Sequence, residues 1–253
     1  MRLTVLGSGM VISGPERATS GFALELANEI IVVDLGFGCF KNLQKAGVDF
    51  SKVNKLFITH FEHLDHVNDL SAFLFARKGL VDLGVSNPVQ INIFAGPGFK
   101  DFIERLFNAY PTFKHLPFKL GVSELESFGT KKFLKFTLTT KPMKHAKSSV
   151  GLKFQAGNKS VVFSGDTEFN ENLVGLAKDT DLLVAECNYA AEKPAWSHLN
   201  AEQLAKIASR ANAKAVLLSH LSPEAEKANL KALVARNFNG KIFVAKDLMR
   251  VNV

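Results

Sequence analysis

The chain has 253 residues, of which 47% are hydrophobic and 22% charged, and a formal net charge of +7. This composition fits a globular protein with a sizeable core rather than a disordered one, and no stretch approaches the roughly 20 apolar residues of a membrane span. The opening Met1-Arg2-Leu3-Thr4-Val5-Leu6-Gly7 is too short an apolar run for a secretion signal, and Cys39 and Cys187 do not form a disulfide framework or metal pair by spacing. The expected compartment is therefore the cytoplasm, with no membrane partner. The positive balance points mildly to a polyanionic partner.

In chain order, short β-rich runs come first: Leu3 to Leu6, Phe22 to Leu26, and Ile30 to Asp34, apolar until its acidic end. Continuous apolar runs suit strands buried on both faces. Phe40 to Lys45, closed by Gly47, reads as a helix with a glycine stop. Lys55 to Thr59 is a further strand, and a helix is expected from about His66 to Arg77. A strand (Val89 to Phe94), a Gly96-Pro97-Gly98 turn and a helix (Lys100 to Ala109) follow. Phe133 to Thr140 alternates as a strand, and Gly151 to Gln155 and Ser160 to Ser164 flank the hairpin signal Gly157-Asn158. The rest reads strand (Leu182 to Glu186), helix (Ala201 to Ala211), strand (Ala215 to Ser219), helix (Ala225 to Val234) and strand (Ile242 to Ala245). No composition break divides the chain, so residues 1–253 are read as one domain of two mixed sheets with helices outside.

Six of the seven histidines fall in a pattern that carries chemistry. One cluster reads His60-Phe61-Glu62-His63-Leu64-Asp65-His66. His145 follows an extended run, Asp166 lies in Ser164-Gly165-Asp166-Thr167, His220 ends Val216-Leu217-Leu218-Ser219-His220, and His198 lies in Trp196-Ser197-His198-Leu199. Each candidate ligand is expected in a loop at or just past a strand end, where rigid scaffolds place catalytic groups. Imidazole and carboxylate suit zinc and similar metals, and a carboxylate between two ions can bridge them. Seven candidates make two sites of three ligands with one shared aspartate, leaving room for water, as in catalytic metal centres. Lys141, Lys144 and Lys147 bracket His145, which favours phosphate near it. Arg17 reads as a loop anchor or a phosphate contact.

These motifs resemble those of the metallo-β-lactamase superfamily, and within it the ribonuclease Z-like branch. The resemblance runs nearly end to end, from Leu3-Thr4-Val5-Leu6-Gly7-Ser8-Gly9 through Asp34-Leu35-Gly36-Phe37-Gly38, the histidine cluster, Ser164-Gly165-Asp166-Thr167 and Ala185-Glu186-Cys187 to the strand ending in His220. It implies an αββα four-layer sandwich with two zinc ions at one edge, manganese or iron being alternatives, and a homodimer. It implies His60, His63 and His145 as ligands of one metal, Asp65, His66 and His220 of the other, and Asp166 as the bridge. His198 matches the histidine that protonates the leaving group, and Glu186 stands where it can orient that imidazole.

Two departures matter. The family pattern is His-x-His-x-Asp-His, whereas this chain carries one more residue, His60-x-x-His63-x-Asp65-His66. Counting back from His66, the first ligand's place falls on Phe61, which has no donor atom. Either the loop bulges so that His60 and His63 both reach the metal, or Glu62 substitutes, or one metal is weak or absent. The second departure is a missing arm, since branch members that grip tRNA carry a long insertion between the counterparts of His145 and Asp166. The chemistry expected is phosphodiester hydrolysis by a hydroxide activated by two zinc ions, with Asp65, Glu186 and His198 in the catalytic set. The substrate is expected to be RNA or a small phosphodiester. Hydrolysis of a lactone, thioester or other carboxyl ester, or ligand binding without catalysis, are the other readings of the same centre.

Overall fold

The computed structural model describes residues 1–191 and 198–253, so that Trp196 and Ser197, noted above beside His198, lie outside the described residues. The first half of the chain forms β1 (Arg2–Gly7), β2 (Gly21–Leu26), β3 (Glu29–Leu35), β4 (Lys55–Ile58), β5 (Ile91–Ala95) and β6 (Leu120–Glu124). The second forms β7 (Gly129–Lys132), β8 (Thr137–Pro142), β9 (Val150–Ala156), β10 (Lys159–Phe163), β11 (Leu182–Glu186), β12 (Ala215–Ser219), β13 (Lys241–Val244) and β14 (Arg250–Asn252). Among the described residues these strands make two seven-stranded mixed sheets, ordered β14-β1-β2-β3-β4-β5-β6 and β13-β12-β11-β10-β9-β8-β7. The last strand thus leaves its own half and pairs with β1, Leu3 opposite Val251.

The apolar strands are apolar on both faces because each face has a partner. Val5, Val33 and Phe57 point between the sheets, where they meet Leu152, Val161, Val184 and Leu217. Their neighbours Leu6, Val32, Leu56 and Ile58 point outward against α1 (Cys39–Lys45), α2 (Leu70–Asp82) and α3 (Phe99–Ala109). On the other sheet Val162, Leu183, Val216 and Leu218 face α4 (Glu171–Leu176), α5 (Ala201–Arg210), α6 (Pro223–Lys227) and α7 (Leu230–Ala235). This is the expected αββα sandwich. Cys39 and Cys187 are buried core thiols.

Three expected elements differ. The helix read from His66 begins only at Leu70, after a one-turn 3-10 helix over Leu64–His66 that holds Asp65 and His66. The intervening backbone is tied elsewhere, with Asp69 N–H donating to Leu35 O and Asp69 Oδ2 accepting from Phe40 N. The strand read over Phe133 to Thr140 is the tip and second strand of a hairpin, whose turn is closed by Phe133 N–H to Phe136 O at 2.8 Å. The helix read over Ala225 to Val234 is two helices. Ala228 is extended at ψ 152°, and Asn229 caps α7 by accepting from Ala232 N.

Candidate metal centre

The centre lies where the loops after β3, β4, β8, β10, β11 and β12 meet at one edge of the sandwich. Its construction starts at Asp34, the penultimate residue of β3, at φ 58°, a left-handed conformation that aspartate tolerates better than most residues. Turned this way, its carboxylate accepts from Thr59 N and Thr59 Oγ1, both at 2.8 Å, and holds His66 Nδ1 at 2.9 Å. The second nitrogen of His66 is thereby aimed at Asp166, with Nε2 3.2 Å from Oδ1. A carboxylate gripping the far nitrogen of an imidazole is the usual outer support of a metal-binding histidine. Gly165, at φ 58°, delivers Asp166 to this position, and a Cβ there would lie 2.8 Å from the Thr59 side chain.

Asp166 is the hub. Its Oδ2 lies 3.8 Å from His60 Nε2, 3.9 Å from His145 Nε2 and 3.4 Å from His220 Nε2. His220 itself follows β12 at φ 53°, with Asn188 Nδ2 3.1 Å from its Nδ1 and Asp65 Oδ2 3.2 Å from its Nε2. His63 Nδ1 stands 3.2 Å from His145 Nε2. Donor atoms within 4.8 Å of one another link His60, His63 and His145, then His60, His66 and Asp166, then Asp65, His66 and His220.

A cation suits this set. Among the described residues His60 Nε2 is buried without a hydrogen-bond partner, and His66 Nε2 and Asp166 Oδ1, though 3.2 Å apart as an ion pair, lack hydrogen-bond geometry. Buried polar atoms left in this state cost roughly 1–3 kcal/mol each unless some other ligand meets them. Burial and the neighbouring His66 push the His60 imidazole well below its ordinary range, towards the neutral form that coordinates. Burial works against the charge of Asp166, but His220 and His66 outweigh it and hold the carboxyl well below the usual carboxylate range. His66 is pushed the other way, for burial disfavours its charge but Asp166 and Asp34 more than compensate. A cation arriving there displaces a proton.

Glu62 turns away from this cluster. Its Oε1 accepts from Ser148 N at 3.1 Å and its Oε2 from Ser148 Oγ and Phe61 N. Phe61, on the first-ligand position of the family pattern, packs against Phe99 and Phe102 of α3. Arg17 is an anchor, its guanidinium shared among Glu226, Ser8 Oγ and Ala245 O.

Beside the cluster stands a second histidine–carboxylate pair. Glu186, at the end of β11, is buried and holds His198 Nδ1 at 2.9 Å while also accepting from Thr167 N and Leu199 N. Burial opposes the His198 charge, but the Glu186 carboxylate prevails and the imidazole is pushed up to about 9. His198 Nδ1 also lies 3.9 Å from Asp166 Oδ2, and a fourth donor group joins it to Asp166 and His220. Geometry alone therefore admits His198 as a proton donor or as a ligand.

Sequence reasoning gave no role to Asp34 or Asn188, both gripping ring nitrogens, though Asp34 ends an apolar strand next to conspicuous glycines. It also passed over the exposed apolar side chains on the loops around the centre. Leu64 lies between His63 and Asp65, Phe37 follows Asp34 closely, and Val11 and Ile12 sit on a loop whose Met10 N–H bonds to Leu221 O beside His220.

The family described as anti-Pycsar protein Apyc1 matches residues 1–241. The probable metallo-hydrolase YhfI of Bacillus subtilis (strain 168) is 25% identical over 257 residues, covering 98% of each chain. The crystal structure of that metallo-β-lactamase fold protein superposes with a TM-score of 0.88 at 22% identity, over 99% of this chain and 98% of that one. Ribonuclease Z of Picrophilus torridus is 24% identical over 305 residues, covering all of this chain and 96% of the relative. Human short-form tRNase Z superposes with a TM-score of 0.78 at 21% identity, over 100% and 99% of the two chains.

Proposed function

Since the chain belongs to the anti-Pycsar protein Apyc1 family and carries the metallo-β-lactamase fold of its hydrolase relatives, we propose that this metal-dependent hydrolase is a ribonuclease Z-like phosphodiesterase with a dinuclear centre. The observation that carries the reading is the convergence of imidazoles from both sheets on the buried Asp166, with the buried His60 Nε2 left without a hydrogen bond among the described residues. His60, His63 and His145 would hold one ion and Asp65, His66 and His220 the other, with Asp166 shared between them. Zinc is the ion this donor set favours, with manganese or iron as alternatives. Two such ions supply Lewis acidity towards a phosphoryl oxygen and lower the pKa of bound water to about 7.

The protein's own groups do the rest. Asp34 fixes the ring of His66, and Asn188 meets that of His220. His198 gives its proton to the departing oxygen, and Glu186 keeps that proton available while holding the ring in place. Asp65 keeps His220 in register with Asp166. Lys141, Lys144 and Lys147 add positive charge around His145, with Lys144 paired to Glu168 and Lys141 Nζ lying against Gly175 of α4.

The substrate class is a small cyclic or linear phosphodiester. Between His145 and Asp166 the chain builds only the β9–β10 hairpin, turning at Gly157-Asn158, with no arm to grip a folded RNA. The exposed Val11, Ile12, Phe37 and Leu64 suit an apolar or planar group attached to the phosphate, such as a nucleobase. Processing of RNA 3′ ends is the second reading, favoured by the lysines and the ribonuclease Z relatives. A cytoplasmic homodimer is part of the same proposal.

The test is metal analysis together with a substrate panel. About two ions per chain are expected, and Asp166→Ala should lose metal and activity together, because it removes the group between the ions. Activity should appear on a cyclic nucleotide and on bis(p-nitrophenyl) phosphate, and be weak on a pre-tRNA. Turnover of a lactone without any phosphodiester, or an Asp166→Ala variant with full metal and full activity, would overturn the assignment.

A further inference from the structure

The residue inserted between the first two histidines of the cluster has a place of its own. From Thr59 to Glu62 the chain is clamped at both ends, onto the first residue of β9 and onto the β8–β9 connection that carries His145. At the near end Val150 N–H donates to Thr59 O at 2.9 Å. At the far end the Glu62 carboxylate takes both Ser148 N–H and Ser148 Oγ–H. Between the clamps Phe61 is drawn towards the rings of Phe99 and Phe102, while His60 and His63 fall on the side facing His145.

The receiving loop is built to hold its end of the tie. Ser148 is buried, and its loop is closed by Ser149 N–H to Ala146 O and by Ala146 N–H to Ser149 Oγ, both at 3.1 Å. Its carbonyl runs so close to Gly96 that a Cβ there would sit 2.0 Å from Ser148 O. The Glu62 side chain is itself largely solvent-facing. Burial would raise its carboxyl, but the two Ser148 bonds hold it below the usual carboxylate range. His63 is exposed as well, and the Glu62–Ser148 tie joins its loop to that of His145 beside the 3.2 Å approach of His63 Nδ1 to His145 Nε2.

We propose that Glu62 is a positioning residue: through Ser148 it locks the enlarged loop so that His63 and His145 present as one ligand pair, compensating for the extra residue. This rests on the reading that His60, His63 and His145 share one ion. The tie acts through the loops that carry His63 and His145, so its loss is expected to weaken one ion selectively, by roughly the 10–100-fold seen when outer-shell supports are removed.

The experiment is a chelator-competition titration of full-length protein loaded with zinc, repeated with cobalt(II) to follow each ion's absorption. In Glu62→Ala and in Ser148→Ala, one ion should weaken by roughly 10–100-fold and the other stay within a few-fold of wild type. The double variant should be no worse than either single one, because both remove the same tie. Glu62→Gln should restore most of the affinity, since its amide oxygen still accepts from Ser148 N. Two ions of wild-type affinity in Glu62→Ala would overturn the proposal. So would an ion lost in Glu62→Gln, which would make Glu62 a ligand, or equal weakening of both ions with a lower melting temperature of the metal-stripped protein, which would make it a general prop. Wild-type protein that takes up fewer than two ions would remove the dinuclear reading itself, and this proposal with it.

Discussion

Asp34 does for His66 what Glu186 does for His198, in that each carboxylate takes one ring nitrogen and leaves the other for different work. The consequences differ because the rings differ in task. Asp34→Asn keeps the shape but removes the charge that grips His66, so metal affinity should fall by roughly 10–100-fold, read by chelator competition. His198→Ala should leave the ions in place yet slow an alkyl phosphodiester by roughly 10²-fold, the usual worth of a general acid. A p-nitrophenyl diester, whose phenolate departs unaided, should be little affected. Loss of metal from His198→Ala would make this histidine a ligand instead. The pH profile separates the roles further. His198 acts when protonated, so the rate on the alkyl ester should fall as pH rises through its pKa, pushed up to about 9 by Glu186, with a nearby cation working the other way. Glu186→Gln removes the anion that holds the proton, so this descending limb should move to lower pH. A limb that stays in place, measured as kcat against pH, would separate Glu186 from the proton.

Among the elements, those with a strong local signal were legible and those defined by a distant partner were not. β11 and β12 are found as read, because an apolar run buried on both faces announces itself without help from elsewhere. β6 reads Leu-Gly-Val-Ser-Glu, half-exposed throughout, and only parallel pairing with β5 makes it a strand. β14 is three residues long, and its partner β1 lies at the other end of the chain. Most of the ligand candidates were legible for the same local reason, as histidines and aspartates in the loops that follow the apolar β4, β10 and β12, whereas His145 follows the more polar β8. Which member of His60, Glu62 and His63 faces inward was not, because Ser148 and the rings of α3 decide it. The start of α5 was legible in its chemistry, with Asn200 accepting from Gln203 N and the Gln203 side chain returning the bond. Asn200→Ala should cost about 1 kcal/mol. In a chain of this size that lowers the melting temperature by about 2–4 °C, measurable by calorimetry.

For the whole molecule, the donors divide between the sheets. His60, His63, Asp65 and His66 follow a strand of the first, while His145, Asp166 and His220 follow strands of the second. Ions held by both sets, as proposed, would fasten one sheet to the other in the folded state alone and so would stabilise it by mass action, by about 2.7 kcal/mol at a free concentration 100 times Kd. Stripping with a chelator should therefore lower the melting temperature, and added zinc should restore it. A melting temperature indifferent to both would mean that the centre bears no load between the sheets.

The same division sets a schedule for the protein's synthesis. Domains emerging from the ribosome fold as units, N-terminal parts first. Here the first sheet appears with its histidine cluster but without Asp166 or His220, and its edge strand β1 waits for β14, which is made after every other strand described. A half-made chain can offer imidazoles to a passing ion but cannot cage it. A complete donor set is thus deferred until His220 has been made, and a chain cut before it lacks part of the set proposed for the second ion.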